Sequence, residues 1–535
     1  MWTNGTGVPR SISEEQQTEE SCDEVSEKDL IDSSSDEYHS GNDPTYIPEE
    51  TIEVETPIRN INLRPRRRVQ YNTEKEHDVS YFCPVFDLNE PQTVEDALSS
   101  PHADQWKMAM QEEYDSMMKN ETWSLVDLPP GKRALPCKWV FKTKTNGKGE
   151  IERFKARLVI KGYAQRKGSD YDEVYAPVVR YNSVRYLIAL AAKYDLEMVQ
   201  MDAISAFLQG DIDTEIYMLQ PTHFEVNAQV CLLHKSIYGL KQASRQWNLK
   251  LNDVLLNIGL KRSKIDPCIY YLVKDSIMIY IAVWVDDFLI FTNDKNTTQQ
   301  LKEKLMKEFD MKDLGEMRQC IGINVNRDRG AGVIMIDQEK YINLILDRFG
   351  MSQCRPVRTP IEVNAKFDKN PEGDANNFPY REAVGCLIYL AHVTRPDIAY
   401  AKGSISWNSC KQQTVALSTA EAEYMAMASA TQEALWIQQL QTELGRPSES
   451  ALVIYSDNQS AIRLASTDCY KPKTKHIDIR LHFLRDNIAD CKVKFLFVNG
   501  CYMVADNLTK GTTYEKHLFC INRMGLRSAG SVSVI

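Results

Sequence analysis

Ile277–Phe291, IMIYIAVWVDDFLIF, sets two adjacent carboxylates, Asp286 and Asp287, inside an otherwise apolar run. β-Branched and aromatic residues dominate both flanks, so the pattern predicts two strands meeting at a tight turn. Carboxylates there repel each other and resist desolvation. Water, a basic partner or a divalent cation must offset that cost. Taken alone, the pair also reads as a solvated Asp-Asp turn. A third carboxylate, Asp202, lies in a similar setting upstream, where the short strand Met198–Ile204 ends. Three carboxylates on neighbouring strand ends would form an oxygen-rich site suited to Mg²⁺.

Other elements must carry those strand ends together. Helical spacing appears at Val94–Leu98, Asp104–Met118, Ser183–Lys193 and Thr297–Phe309, and Ser236–Arg245 leads into a helix to about Ile258. Lys138–Lys144 and Ile151–Tyr163 flank an Asn-Gly turn and predict a β-hairpin. On its second arm Arg153, Lys155 and Arg157 alternate at period two and share one face. That face reads as a triphosphate or template contact, or as a solvated surface. Ile216–Met218 is a further strand, and a strand pair at Cys320–Val325 and Val333–Ile336 closes the unit. The order is β-α-β-β-α-β-like, a ferredoxin-type plan that would set Asp202 beside Asp286 across some eighty residues.

Composition bounds the rest. The 535 residues give room for two to four domains, and 43% are hydrophobic, ordinary for a water-soluble chain. No run approaches the roughly 18–20 apolar residues of a membrane span, and no apolar signal segment follows a basic start. Thirteen scattered cysteines without a CxxC pair point to a reducing compartment and away from a zinc module or disulfide scaffold. The net charge of −10 is unevenly placed. Residues 1–80 hold 8 basic against 19 acidic side chains, and the other 455 hold 56 against 55. The Ser/Glu/Asp-rich head is expected to be disordered. Its exception, Arg64–Arg68, reads as a solvated linker or a nucleic-acid or targeting contact. Basic clusters at 132–168 and 471–480 would suffice for a local nucleic-acid groove.

CKWVFK, RFKARLVIKGYAQ, YAPVVR, QMDAISAFLQGDIDTEIYM, SIYGLKQASRQW, WVDDFLIF and TRPDIAYA occur in that order between Cys137 and Ala401. Together they resemble the reverse transcriptase of copia-type LTR retrotransposons. The resemblance implies an RNA-directed DNA polymerase with a right-hand fold, that is, fingers and a ferredoxin-like palm, over 81–350. Asp202, Asp286 and Asp287 would hold two Mg²⁺ ions for nucleotidyl transfer. Phe207 would be the aromatic gate under the sugar. Lys155 and Arg157 would hold the triphosphate, and Gly239, Lys241, Gln242 and Arg245 would pack the incoming base and template. The implied partners are an RNA or DNA template-primer and dNTPs, in a cytoplasmic particle with nuclear access left open. Trp284 stands where the family usually has Tyr, exchanging a phenol hydroxyl for an indole N–H.

ISWNSCKQQTVALSTAEAEYMAMASA, VIYSDNQSAI, KHIDIRLHFLRD and VADNLTK resemble the middle and later parts of the family's RNase H domain. Glu421 (with Glu423 as the competing choice), Asp457 and Asp506 match three of its four carboxylates. The strand carrying the first is missing, since Ala401–Ser404 runs straight into Ile405. A truncated connection (351–403) and an incomplete RNase H-like α/β domain (404–535) are therefore expected. That domain should not cleave RNA, because a sheet without its central strands exposes unpaired backbone. A genomic deletion and a splicing or gene-prediction gap both account for the missing segment. The acidic head resembles the tail that follows integrase, and no CCHC knuckle, protease or integrase motif is found, as in a fragment of Pol. The competing reading is a dead remnant that at most binds nucleic acid. A domesticated host factor has no feature in its favour.

Overall fold

The structure is a computed structural model that describes residues 90–145, 151–361, 379–398, 418–448, 450–467 and 478–527, with single positions at 363, 412 and 416. The acidic head with Arg64–Arg68, the Asn-Gly turn and the 401–405 junction lie outside the described residues. Among the described residues no helix is long and apolar enough to cross a membrane.

The first layer is α1 (Ala103–Lys119) on a hairpin of β1 (Cys137–Thr145) and β2 (Ile151–Ile160). Trp106, Ala109, Met110 and Met117 recur at helical spacing and are buried. They meet the apolar face of the hairpin, where Trp139 and Phe141 stand opposite Leu158 and Ala156. The Trp106 ring lies edge-on to Phe141 at 5.2 Å and to Phe154 at 4.7 Å. The other face pairs Lys142 with Lys155 and Lys144 with Arg153 across the ladder. Like charges directly opposite weaken a sheet, and Glu90 on Lys142 and Glu112 on Arg153 relieve part of that repulsion.

The central sheet follows. After α2 (Tyr181–Tyr194) come β3 (Glu197–Ala203), α3 (Ala243–Asn257), β4 (Lys261–Arg262), β5 (Ile269–Lys274), β6 (Ile277–Trp284), β7 (Asp287–Thr292), α4 (Lys295–Glu308) and β8 (Met311–Glu316). The six strands lie in the order β8-β3-β7-β6-β5-β4. Its core, β3-α3-β6-β7-α4-β8, is the β-α-β-β-α-β plan, with β3 in the middle. Both faces are covered, which is why β6 and β7 read as unbroken apolar runs rather than alternating ones. Val199, Met201, Ile281, Phe288 and Ile290 pack on α3 and α4, whereas Met198, Tyr280, Ala282, Leu289 and Phe291 pack on α2.

One expectation needs correcting. The closing strand is Met311–Glu316, paired antiparallel with β3, not the Cys320–Val325 and Val333–Ile336 pair. Residues 323–328 and 333–337 instead form a separate three-stranded sheet with Gln319–Cys320.

Two later helices close the back of the sheet. Within α5 (Tyr380–Val393), Tyr389 and Val393 enter the core of α2. Arg185 of α2, buried, donates to His392 O at 2.9 Å and to Val393 O at 3.0 Å. The 25-residue α6 (Thr419–Glu443) belongs to two cores. Its last turns bring Trp436, Ile437 and Leu440, then Leu444, into the core of α2. Tyr280 Oη donates to Leu444 O at 3.1 Å, and Ser263 Oγ donates to the Glu443 carboxylate at 2.6 Å. Its first half places Tyr424, Met425, Met427 and Ala428 in a second core with Ala461, Leu484, Val493 and Phe495. There β9 (Leu452–Ser456) and β10 (Val493–Phe497) pair in parallel as a two-stranded sheet.

Candidate active site

The β6–β7 turn is two residues long, because Trp284 pairs directly with Asp287. Val285 takes a positive φ of 56°. That is costly for a β-branched residue and is of the order of 1–3 kcal/mol. Two hydrogen bonds hold the turn in place. Trp247 Nε1 donates to Val285 O at 2.6 Å, and Ala203 N donates to Asp286 O at 2.9 Å. The ladder then sets Asp287 opposite Asp202. Residues far apart in the chain thus share one end of the sheet, with Asp286 in the turn beside them.

The three carboxylates are half-buried. Burial raises the proton affinity of Asp202 above the ordinary Asp range; the Asp286 charge adds to this, and Lys155, Lys144 and Lys312 oppose it. Burial likewise raises Asp287. Gln200 Nε2, which donates to Asp287 Oδ1 at 2.9 Å, opposes the shift, and the Asp286 and Asp202 charges add to it. Among the described residues no three His, Cys, Asp or Glu side chains are gathered at metal-ligating spacing. The donor set still suits a hard cation: all oxygen, half-desolvated, and mutually repelling until a positive charge enters.

Around this end stand several residues singled out from the sequence. The Arg157 guanidinium lies 5.3 Å from the centroid of the Tyr238 ring, and the Phe207 ring meets Tyr238 at 4.9 Å, near edge-on. Gly239 takes a φ of 94°, and a Cβ there would sit 2.1 Å from Ile160 O. That close approach ties the loop to β2, where Ile160 N donates to Tyr238 O at 2.9 Å. Lys241, Gln242 and Arg245 turn the other way, toward residues 165–173. Lys241 Nζ donates to Tyr171 Oη at 3.0 Å. The buried Gln242 bonds Gln165 at 2.9 Å and Asp170 O at 2.9 Å, and Arg245 pairs with Glu173 at 2.6 Å.

Three neighbours escape a reading of the sequence. Lys312 stands opposite Asp202 on β8. Its strand, polar and at the sheet edge, carries no apolar periodicity to mark it. Tyr238, between Ile237 and Gly239, joins Arg157 to Phe207. Glu113, on α1, lies near Lys155 and Arg157; nothing in its local sequence marks it.

The reverse transcriptase (RNA-dependent DNA polymerase) family profile matches residues 120–363. The Pol polyprotein of transposon TNT 1-94 of Nicotiana tabacum is 36% identical over 546 residues, covering 87% of this chain and 41% of that protein. The Pol polyprotein of transposon RE1 of Arabidopsis thaliana is 32% identical, covering 79% and 34%. A putative transposon Ty5-1 protein of Saccharomyces cerevisiae is 32% identical over 212 residues and is covered over 68% of its own length. The chain belongs to the copia-type retrotransposon Pol family. It spans well under half the length of the tobacco and Arabidopsis relatives. Among solved structures, a foamy viral protease-reverse transcriptase in complex with double-stranded DNA aligns over 73% of this chain and 69% of that one. Identity is 12% and the TM-score 0.37, a likeness too loose to carry an argument.

In this Pol chain the C-terminal acids occupy a different setting. Glu421 is buried in the first turn of α6, its backbone N–H capped by Ser418 Oγ at 3.2 Å, while Glu423 is exposed. Asp457 follows β9, half-buried. Asp506 is buried and pairs with Lys510 at 2.9 Å and also with Lys516. The bond to Asp506 holds the Lys510 ammonium above its ordinary range, and the Asp457 and Glu423 charges add to it. Two cationic side chains therefore already answer Asp506. Trp284, the family departure, packs against Tyr181 with centroids 5.4 Å apart.

Proposed function

We propose that this Pol chain is an RNA-directed DNA polymerase of right-hand type, copying an RNA or DNA template from a primer with dNTPs. The observation that carries this reading is the register of Asp287 with Asp202, with Asp286 in the adjoining turn. Asp202, Asp286 and Asp287 would hold two Mg²⁺ ions. When bound, these supply charge stabilisation to the attacking 3′-hydroxyl and to the leaving pyrophosphate. Lys155 and Arg157 then bind the triphosphate from the basic face of β2. Phe207, braced by Tyr238, excludes a ribose 2′-hydroxyl by bulk. Gly239 admits the backbone close to β2, and Lys241, Gln242 and Arg245 shape the template side through the 165–173 segment. Template binding is electrostatic and falls steeply with salt.

Residues 404–535 form an RNase H-like remnant without cleavage activity in this reading. The Lys510 and Lys516 pairs on Asp506 support this, because a metal ion would have to displace them.

Primer extension on poly(rA)/oligo(dT) with Mg²⁺ tests the reading. The wild type extends; the Asp286→Asn/Asp287→Asn double variant does not; neither cleaves an RNA–DNA hybrid. Absence of extension by folded wild type favours the remnant reading, and Mg²⁺-dependent hybrid cleavage overturns the RNase H assignment.

A further inference from the structure

We infer that Tyr389, on α5, is a positioning residue: its hydroxyl sets the Ile321–Gly322 turn at a fixed distance from the turn that carries Asp286. The inference deepens the polymerase reading and rests on it. A cleft of about 680 Å³ opens beside Asp287, and Gln200, Glu316, Arg318, Ile321 and Gly322 also line it. Ile321 and Gly322 form a two-residue hairpin turn, because Cys320 pairs directly with Ile323. Both take a positive φ, 48° and 74°, an arrangement that favours Asn and Gly. A β-branched Ile is costly at the first place, as Val285 is in the Asp286 turn. Two strained turns therefore meet at this cleft, one through Asp287 and the other through Ile321 and Gly322.

A chain of contacts through Tyr389 joins them. Trp284, which pairs with Asp287 across the first turn, packs on the Tyr181 ring with centroids 5.4 Å apart. Tyr181 Oη donates to Tyr389 Oη. Tyr389 Oη in turn donates to Ile321 O at 3.5 Å. That bond is long and weak, and the closer fit is steric: a Cβ on Gly322 would lie 2.4 Å from the Tyr389 hydroxyl. Glycine thus leaves the hydroxyl its seat against the second turn. The Tyr389 ring itself is buried and held edge-on to Tyr341 at 4.9 Å. One oxygen on a fixed ring is therefore the spacer between the carboxylate turn and the opposite lining of the cleft.

Tyr389→Phe removes only that oxygen. In primer extension with the full chain, kcat is expected to fall about tenfold with the dNTP KM within about twofold, because the change shifts the cleft lining and leaves Lys155 and Arg157 alone. Tyr181→Phe breaks the same bond from its other end. It should show the same split and add little to Tyr389→Phe in the double variant. A purely structural role would lower the melting temperature and leave kcat alone. A second readout needs no activity: an unfolding cycle of Gly322→Ala, Tyr389→Phe and the double variant. With the hydroxyl gone, the alanine Cβ meets only the ring carbon at 3.7 Å, an ordinary contact. The double variant should then lose less stability than the sum of the singles. An unchanged kcat in Tyr389→Phe, additive kcat losses with Tyr181→Phe, or an additive unfolding cycle overturns the inference. Wild type without extension overturns the polymerase reading instead, and the cycle alone then upholds or overturns the seat of Tyr389.

Discussion

Gly239→Ala separates β2 from the loop that carries Tyr238. At the φ of 94° an alanine pays first for its backbone, about 1–2 kcal/mol. Its Cβ would then lie 2.1 Å from Ile160 O and 2.7 Å from Val159 Cγ1. The first neighbour is backbone and cannot rotate away, so strand and loop must part by about an ångström. That opening breaks the 2.9 Å bond from Ile160 N to Tyr238 O. A buried donor left without a partner costs about 1–3 kcal/mol. The sum is about 2–5 kcal/mol, a large share of a domain's stability. Gly162 offers an internal control, since a Cβ there would meet Gly239 O at 2.0 Å without a positive φ. Gly162→Ala should therefore cost only the separation, about 1–3 kcal/mol. The double variant should cost less than the sum of the singles, because one opening relieves both clashes. Urea unfolding followed by tryptophan fluorescence gives the free energies, and amide exchange at Ile160 reports the opening itself. A Gly239→Ala cost below about 1 kcal/mol, or simple additivity, would refute the packing argument.

Two further outcomes follow from the carboxylates and from α6. Asp202 and Asp287 bind protons more tightly in the folded chain than an ordinary Asp does, so their contribution to stability is present at low pH and lost as pH rises through the raised folded values. Without metal, Asp287→Asn should thus melt higher than wild type at neutral pH. The advantage should shrink as pH falls toward the ordinary Asp value of about 4; an advantage independent of pH would contradict the charge origin. A chain ending at Leu417 loses Leu440 and Leu444 from the core of α2, about 1.5–3 kcal/mol for each side chain. It should melt lower than a chain ending at Ser448, which keeps both, although the Ser448 chain bares Tyr424–Ala428. Equal behaviour of the two would show that the helix end adds nothing to that core.

The sequence makes the centre of the sheet legible and its margins obscure, for physical reasons. β6 and β7 are buried on both faces, so their apolar runs stand out, and the two acids between them mark the turn. Asp202 was readable for the same reason. Met311–Glu316 was not: an edge strand rich in Lys, Asp and Glu, with a bulge near Gly315, carries the polar pattern that protects edges and hides them from a periodicity argument. Lys312 was lost with it. Glu113 and Glu112 are adjacent acids with equal local credentials, and only the packing of α1 on β2 separates the inner one from the outer. Lys241, Gln242 and Arg245 were legible as a motif, yet their bonds to Gln165, Tyr171 and Glu173 depend on contacts across some seventy residues. In α6, apolar residues occur on more than one side, because the helix changes the partner it buries part-way along.

That change of partner makes α6 a phase lock. Each residue of an α-helix advances the chain by about 1.5 Å and turns it by about 100°. Tyr424–Ala428 point into one core and Trp436–Leu444 into the other, with continuous helix between them through residue 443. Inserting one residue between Ala428 and Trp436 would rotate one core by about 100° against the other, whereas seven would restore the heading to within about 20°. The helix can therefore lengthen only by near-whole turns, and its angular setting is as much an inherited property of the chain as its side chains.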